Sequence, residues 1–401
     1  MSILYRIVLW ISLLFPWIDY TLKEKIYIYP LSSIWDDTFI VFVWILVLIR
    51  LKDILKKRDI VIPFLIFTSV IFISAGINGV SFWIMQDAIR RLILPFGIFL
   101  ILSVSDIKPK DVILPLLVTT TPLAILGIYQ YIAKVPIPPE WVDSLVDKTV
   151  STRAFAIFIN PNLFAVFLER SEAILLGLTI GSKGKGKYIW LSLLIIHFMA
   201  HIFTFSRSSL LSILLASTIG LLFINPIFDS IWIGIASATS LLIPSLRTRF
   251  LGLLSPYYRY KSSLGGRLFQ WKVELNHWKK YPIWGSGPGT FGSITAWNLG
   301  LGGKFRIDML YLYILGELGI VGLITFLWWL ISILTHLLAK LSILSKHSIN
   351  FYITWGGVVG YLSFLIQAFA DNHFEVIPHM VFTWAILGVL SVEAKRESWH
   401  L

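Results

Sequence analysis

Apolar runs long enough to cross a lipid bilayer recur along the whole of this 401-residue chain. An α-helix rises about 1.5 Å per residue, so about 20 mostly apolar residues span about 30 Å of hydrocarbon. About twelve such windows are present, at approximately residues 3–19, 38–51, 60–77, 91–104, 111–133, 155–180, 188–204, 208–224, 228–245, 309–338, 350–370 and 375–392. They predict an all-α polytopic membrane protein with about twelve transmembrane helices. We expect residues 1–401 to form a single integral membrane domain.

The composition excludes a water-soluble fold. Hydrophobic residues make up 57% of the chain and charged residues 14%, against about 45–50% and about 25% in soluble domains. The absence of cysteine removes structural disulfides, thiolate metal sites and thiol catalysis. A net charge of +12 would suggest nucleic acid in a soluble protein. In a membrane protein it indicates topology signals or a phosphate-bearing substrate, and no nucleic-acid partner is expected.

Lysine and arginine are unevenly divided between the two sides of the predicted bundle. An even number of spans places both termini on one side. If that side is the cytoplasm, the cytoplasmic segments carry fourteen of these residues and the short outer loops carry eight. Because cytoplasmic loops are enriched in lysine and arginine, both termini are predicted to be cytoplasmic.

A large outer loop, residues 246–308, precedes the predicted tenth span and carries ten lysines and arginines against two acids. The enrichment of lysine and arginine on the cytoplasmic side holds for short loops and not for long ones, so it does not explain this excess of bases. A substrate with a lipid-diphosphate head group would provide an explanation. A solvated basic face without a ligand is the alternative.

Apolar residues within this loop recur at steps of four and three, which is typical of an amphipathic helix. They are Leu264, Leu268, Trp271, Leu275 and Trp278. A neighbouring face carries Arg267, Gln270, Glu274 and His277. We expect a helix at the membrane interface, with its apolar stripe toward lipid or the helix bundle and its polar stripe toward a cavity.

Four sequence motifs follow one another between residues 153 and 322. They are Arg153-Ala154-Phe155 with Asn160-Pro161-Asn162; Thr204-x-Ser206-Arg207; Arg267-x-x-x-Trp271 followed by Tyr281-Pro282-Ile283-Trp284-Gly285-Ser286-Gly287-Pro288-Gly289; and Leu315-Gly316-Glu317-Leu318-Gly319-Ile320-Val321-Gly322. In this order, and with a large outer loop before the tenth span, the chain resembles the O-antigen ligase and O-antigen polymerase superfamily of bacterial inner-membrane proteins.

The resemblance implies a metal-independent, inverting glycosyltransferase at the periplasmic face of the inner membrane, with no cofactor. The implied donor is a polyprenyl-diphosphate-linked glycan. The acceptor is a hydroxyl group, on lipid A core in ligases and on another lipid-linked glycan in polymerases. Membrane lipids are the remaining expected partners.

Two arginines, Arg207 and Arg267, fall on the arginine positions of this family. A guanidinium group pairs bidentately with phosphate and stays protonated. We therefore expect both residues to be catalytic by stabilising the departing diphosphate. Anchoring of lipid phosphates and helix capping are the alternatives.

The third expected catalytic residue, Asp308, marks a departure from the family. Its ligases carry a histidine-asparagine pair ten residues before the Gly-x-x-Gly that is Gly319 to Gly322 here, and this chain has Asp308 and Met309 there. An aspartate accepts a proton poorly unless burial raises its pKa from about 3.9. Capping of the following helix is the alternative role. The missing histidine favours a repeat-unit polymerase over a ligase.

Six further residues are expected to bind substrate, because they lie on the motifs, in the basic loop or at outer span ends. They are Arg153, Asn160, Asn162, Arg306, Glu317 and His373. His373 and its neighbour Asp371 are also alternative bases. Glu317 is alternatively a hydrogen-bonded tie between helices.

Other polar groups have simpler explanations. The amides of Gly285, Gly287 and Gly289 either face phosphate or form a tight turn. Buried charges of the predicted sixth span are expected to pair across helices; they are Glu169, Arg170 and Glu172. Asp36 and Asp37 are similar to the acidic motif of metal-using membrane glycosyltransferases. No metal site is predicted, because the basic loop offers no second acidic cluster.

Two rival functions stay open. A transporter or channel is the first, although transporters favour inverted repeats and no convincing internal duplication is visible. A nucleotide-sugar or metal-dependent membrane transferase is the second, and it would require an acidic site facing the donor.

Overall fold

The computed structural model describes residues 1–136, 152–158, 160–224, 256–302 and 306–393, with single positions between 225 and 255. Every regular element within these ranges is a helix, which confirms the all-α prediction. Among the described residues, seven helices are long and apolar enough to cross a membrane: Ser2–Ile26, Leu31–Ile49, Arg58–Ile77, Pro109–Ile132, Gly184–Thr204, Leu310–Ile343 and Ile349–Gln367. The total of twelve spans and the single domain stay predictions. The predicted span 228–245 lies outside the described residues.

The described helices follow the apolar windows in chain order. They are α1 (Ser2–Tyr20), α2 (Leu31–Ile49), α3 (Leu51–Ile54), α4 (Arg58–Ile77), α5 (Phe82–Leu92), α6 (Phe96–Ser103), α7 (Ile113–Ile132), α8 (Pro161–Gly181), α9 (Gly184–Thr204), α10 (Arg207–Leu222), α11 (Pro256–Leu264), α12 (Arg267–Trp278), α13 (Ile294–Asn298), α14 (Leu310–Ile343), α15 (Ile349–Gln367) and α16 (Ile377–Leu390). A π-helical turn, Thr21–Ile26, extends α1, and a 3-10 turn, Pro109–Val112, precedes α7.

The predicted span 91–104 is not one helix. Helix α5 ends at Leu92 and α6 begins at Phe96. Pro95 explains the break, because proline lacks an amide proton and disfavours helical backbone in the residue before it. The carbonyl of Leu94 instead accepts a hydrogen bond from the indole of Trp44 at 2.9 Å. With only eight residues, α6 is too short to cross a bilayer, which needs about 20.

Three other apolar helices differ from the seven long ones. Helices α10 and α16 have 16 and 14 residues. Helix α8 has 21 residues but carries three charged side chains near its middle. Because charges inside a bilayer are expensive, those of α8 require a specific explanation.

The helices divide into two compact units. The first contains Met1–Val112, Arg267–Leu344 and the described residues from Ala368 onward. Its core is aromatic: Trp329 of α14 stacks on Phe67 of α4, with ring centroids 5.6 Å apart. Trp384 of α16 meets Phe96 of α6 edge to face at 5.0 Å. Helix α14 therefore packs along α4, and α16 packs along α6.

The second unit contains Ile113–Gly266 and Ser345–Gln367. Helix α8 lies at its centre and packs against α15, α9 and α10. Seventeen of the residues of α8 are buried, including all three of its charged side chains. Helices α15, α9 and α10 therefore cover much of α8.

Candidate active site

In the first unit, the glycine-rich segment after α12 docks onto a break in α14. Within α14, Gly319 has φ +68°, a left-handed conformation that favours glycine. The break frees backbone groups for the segment: Ile320 N–H donates to the Pro282 carbonyl at 3.0 Å, and Ser286 N–H donates to the Gly316 carbonyl at 3.1 Å. A Cβ on Gly319 would lie 2.2 Å from the Ile283 carbonyl oxygen. Two of the four sequence motifs therefore pack directly against each other.

Glu317 holds the rest of this segment in place. Its carboxylate accepts hydrogen bonds from the amides of Gly289 at 2.5 Å and Phe291 at 2.9 Å. Its carbonyl accepts one from Gly287 at 2.8 Å. The amides of Gly287 and Gly289 thus donate hydrogen bonds to Glu317 of α14. This supports a tight turn over a loop whose amides face phosphate. A contact of Glu317 with substrate stays a prediction.

Helix α12 packs against the rest of the first unit through its polar face. Gln270 accepts a hydrogen bond from the Asp308 amide at 3.3 Å, and Glu274 is buried against Gly316 of α14. His277 contacts the Ser286 hydroxyl at 2.9 Å. Apolar side chains point outward instead: Leu264, in α11, is 65% exposed, and Leu268 and Leu275 are also exposed.

Burial changes the protonation of the polar face of α12. Burial, with the nearby charge of Glu317, raises the pKa of Glu274 to about 9. Burial also lowers the pKa of His277 to about 4, and Lys280 adds to that effect. Both groups are therefore neutral at pH 7. Glu274 and His277 therefore meet the interior of the unit as uncharged groups, without the desolvation penalty of charge.

Asp371 belongs to a charged cluster that contains three of the predicted site residues. Its carboxylate is buried and interacts electrostatically with Asp308, Arg306 and Arg267. Burial raises the pKa of Asp371 to about 6; Asp308 raises it further, while the two arginines oppose the shift. The structure thus brings together Arg267, Arg306 and Asp308, and it adds Asp371, which the sequence offered only as an alternative base.

The segment that carries Asp371 is anchored by a residue that the sequence analysis missed. Glu375 accepts a hydrogen bond from the Ile294 amide at 3.0 Å and another from the Asn372 side chain at 2.7 Å. Burial raises the pKa of Glu375 to about 7, against the opposing influence of the Ile294 amide and Arg306. Its position four residues after Asp371 was the only sequence signal. His373 is completely buried beside it, and its predicted role in substrate binding stays a prediction.

The acidic pair of the first outer loop is neutralised by bases. Asp36 forms ion pairs with Lys23 at 3.1 Å and Arg90 at 2.9 Å, and Arg90 also contacts Asp37. These contacts tie the end of α1 and the start of α2 to α5. Packing explains this acidic pair without a metal.

In the second unit, two other motifs are cross-linked by Arg153. Its Nε–H donates to the Thr204 carbonyl at 2.7 Å, and its Nη2–H donates to the Asn162 side chain at 2.8 Å. Asn160 caps α8 by accepting a hydrogen bond from the Asn162 amide at 2.8 Å. Arg153 therefore joins Asn162, and through it Asn160, to the turn that ends at Arg207. The expected binding of substrate by Arg153, Asn160 and Asn162 stays a prediction.

Arg207 is the first residue of α10 and is partly buried. The turn before it is tight, because Phe205 has a left-handed backbone and Ser206 N–H donates to the Thr204 hydroxyl at 3.1 Å. Arg207 belongs to the second unit and Arg267 to the first. Their convergence on one diphosphate stays a prediction.

The fold defines a helical membrane protein, and its first unit contains a cluster of arginines and carboxylates. A family model described as O-antigen ligase matches residues 191–327, which include Arg207, Arg267, Asp308 and Glu317. This match confirms the resemblance to the O-antigen ligase and polymerase superfamily, whose members are glycosyltransferase-like enzymes. No curated protein matches the chain.

Proposed function

We propose that this protein is a periplasmic-face glycosyltransferase that extends a polysaccharide. The donor is a glycan linked to polyprenyl diphosphate, and the acceptor is a hydroxyl group of another lipid-linked glycan. The protein lies in a bacterial inner membrane with both termini in the cytoplasm. The family match supports lipid-linked glycans as substrates in general terms.

The observation that carries this proposal is the cluster around Asp371. Glycosyl transfer from a diphosphate needs positive charge for the leaving group and a base for the acceptor. Arg267 and Arg306 provide positive charge beside Asp371 and Asp308, which are the candidate proton acceptors. Both demands are therefore met within a single small region of the first unit.

The arginines act on the leaving group. As the bond between the anomeric carbon and the phosphate oxygen breaks, negative charge builds on the diphosphate. Guanidinium groups bind two phosphate oxygens at once and remain charged throughout. In this proposal Arg267 binds the diphosphate and Arg306 balances the carboxylates. Arg207, in the second unit, is also expected to bind diphosphate because it falls on an arginine position of the family. The positive charge that a metal ion supplies in other transferases comes from these side chains, so the reaction is metal-independent.

The carboxylates act on the acceptor. The acceptor hydroxyl oxygen attacks the anomeric carbon on the face opposite the diphosphate, so the configuration inverts. Its proton passes to Asp371, and Asp308 accepts a hydrogen bond from a second hydroxyl group of the acceptor sugar, which orients that sugar. With a pKa of about 6, Asp371 is ionised at pH 7 and is a stronger base than an ordinary aspartate.

Polymerase and ligase differ only in the acceptor. The family match does not distinguish the two, and polymerase is preferred here because Asp308 replaces the histidine of the family's ligases. The test is reconstitution of the purified protein with a polyprenyl-diphosphate oligosaccharide. Longer glycans formed without lipid A support polymerase, and transfer to lipid A core alone supports ligase. Inertness toward both acceptors rejects the transferase proposal and favours a transporter.

A further inference from the structure

Two buried glutamates of α8 have no part in the proposed chemistry. Glu169 and Glu172 are 0% and 3% exposed and lie on the central helix of the second unit. A carboxylate is retained at such a depth only when hydrogen bonds compensate for the loss of water. The partners of these two side chains therefore indicate what they do.

Glu172 binds the end of α9. The ring of His201 donates from Nδ1 to the Glu172 carboxylate at 2.9 Å. His201 lies in the last turn of α9, and its carbonyl accepts a hydrogen bond from the Thr204 hydroxyl at 2.6 Å. That hydroxyl in turn accepts the amide of Ser206 at 3.1 Å. A continuous set of hydrogen bonds thus leads from Glu172 to the residue before Arg207.

Glu169 binds the start of α10. The hydroxyl of Ser209 donates to the Glu169 carboxylate at 2.5 Å, and Ser363 of α15 donates to its other oxygen at 2.8 Å. Ser209 follows Arg207 by two residues, in the first turn of α10. The two acids, one helical turn apart on α8, therefore hold the Thr204–Arg207 turn from both sides.

We propose that Glu169 and Glu172 are positioning residues that fix the Thr204–Arg207 turn, and with it the guanidinium group of Arg207. The inference rests on the proposed function in one respect, the assignment of a diphosphate as the ligand of Arg207. A displacement of about 1 Å at a catalytic group lowers a rate by about 100-fold. The need to hold Arg207 in a fixed position explains why two carboxylates are retained in the interior of the second unit.

We call the hydrogen bonds that join Glu169 and Glu172 to the two ends of the Thr204–Arg207 turn the clamp. Spin labels on either side of the turn test the clamp without reference to activity. The chain has no cysteine, so Met199→Cys in α9 and Leu211→Cys in α10 can be labelled selectively. Both positions accept a label, because their side chains are 41% and 40% exposed. The distance distribution between the labels is compared in the wild-type background and in Glu169→Leu, Glu172→Leu and Ser209→Ala.

The matched control is Thr179→Ala. Thr179 is a buried residue of the same helix, and among the described residues its hydroxyl bonds only to the carbonyl of Leu175, at 2.8 Å. We expect a narrow distribution in the wild type and the control, at least twofold broadening in both leucine variants, and a smaller broadening in S209A. Glu169→Gln and Glu172→Gln keep hydrogen-bonding oxygens and are expected to restore the narrow distribution.

Transfer assays on the same variants complete the test. We expect E169L and E172L to lower the transfer rate at least tenfold and the glutamine variants to keep it within about threefold, since 1.4 kcal/mol corresponds to tenfold. Unchanged distances in the leucine variants would overturn the clamp, whatever the activity. Broadened distances together with full activity in Arg207→Ala would leave the clamp standing and reject the diphosphate role of Arg207.

Discussion

The carboxylate of Asp371 lies close enough to that of Asp308 for their negative charges to repel, in a cluster that also contains Arg267 and Arg306. Burial is the larger cause of the raised pKa of Asp371, and the negative charge of Asp308 adds to it, because a like charge disfavours ionisation. In the proposed mechanism, this cluster takes the place of the histidine of the family's ligases.

The first prediction concerns the pH dependence of transfer. In the proposed mechanism the ionised form of Asp371 is the base, so the rate should rise with pH through about 6 and level off above it. Asp308→Asn removes the repelling charge, which lowers the pKa of Asp371 and moves the acid limb of the profile to lower pH. Rates between pH 4.5 and 8 check this. A shift to higher pH would contradict the electrostatic coupling of the two acids.

The second prediction concerns the shape of the guanidinium group at Arg267. Arg267→Lys keeps the positive charge but loses the fork that binds two phosphate oxygens. We expect transfer to fall at least tenfold with lysine and further with glutamine. Arg259→Gln, an exposed arginine of the same loop, is the matched control and should change the rate less than twofold. Equal rates for R267K and the wild type would reject bidentate binding.

The third prediction concerns the contact between α14 and the glycine-rich segment. Gly319→Ala places a Cβ against the Ile283 carbonyl and puts an alanine in a left-handed conformation. The backbone strain alone should lower the free energy of unfolding by about 1–3 kcal/mol. We expect a clear fall in Tm and loss of activity. Gly76→Ala is the control, because a Cβ on Gly76 of α4 meets nothing within 4 Å. The same Tm for both variants would show that the close approach is unimportant.

The fourth prediction concerns Glu274 and stability. Burial raises the pKa of Glu274 to about 9 from an ordinary value of 4.5, so the folded protein binds this proton more tightly than the unfolded chain does. The contribution of Glu274 to stability is therefore complete below pH 4.5 and is lost as pH rises toward 9. Glutamine is neutral at every pH, so the Tm of Glu274→Gln minus the Tm of the wild type should be larger at pH 8 than at pH 5. For Glu24→Gln, at an exposed acid, the corresponding difference should be the same at both pH values.

The sequence predicted the helices well where one local property decides them. Long apolar windows marked α4, α7 and α9, since spanning length and hydropathy are both readable from the chain. The window at 91–104 misled because hydropathy does not register the break that Pro95 introduces. The polar face of α12 was also predicted, from its helical spacing alone.

The site was predictable only in part, because its contacts join segments that are distant in sequence. Family motifs pointed to Arg267 and Asp308, and the excess of bases in the loop pointed to Arg306. Neither signal indicated Asp371 in preference to Asp308 as the proposed proton acceptor, because the raised pKa of Asp371 depends on its burial in the folded protein. Glu375 was missed for the same reason, since its partner, the Ile294 amide, lies 81 residues away.

The release of polyprenyl diphosphate by Asp371→Asn tests the central claim most directly. The purified variant is incubated with a polyprenyl-diphosphate oligosaccharide, and free polyprenyl diphosphate is measured beside glycan length. Loss of a general base lowers a rate by about 10²–10⁴-fold, so we predict such a fall for D371N, with donor binding retained. Asp106→Asn, at an exposed acid, should release the lipid at the wild-type rate. Wild-type release by D371N would contradict the account.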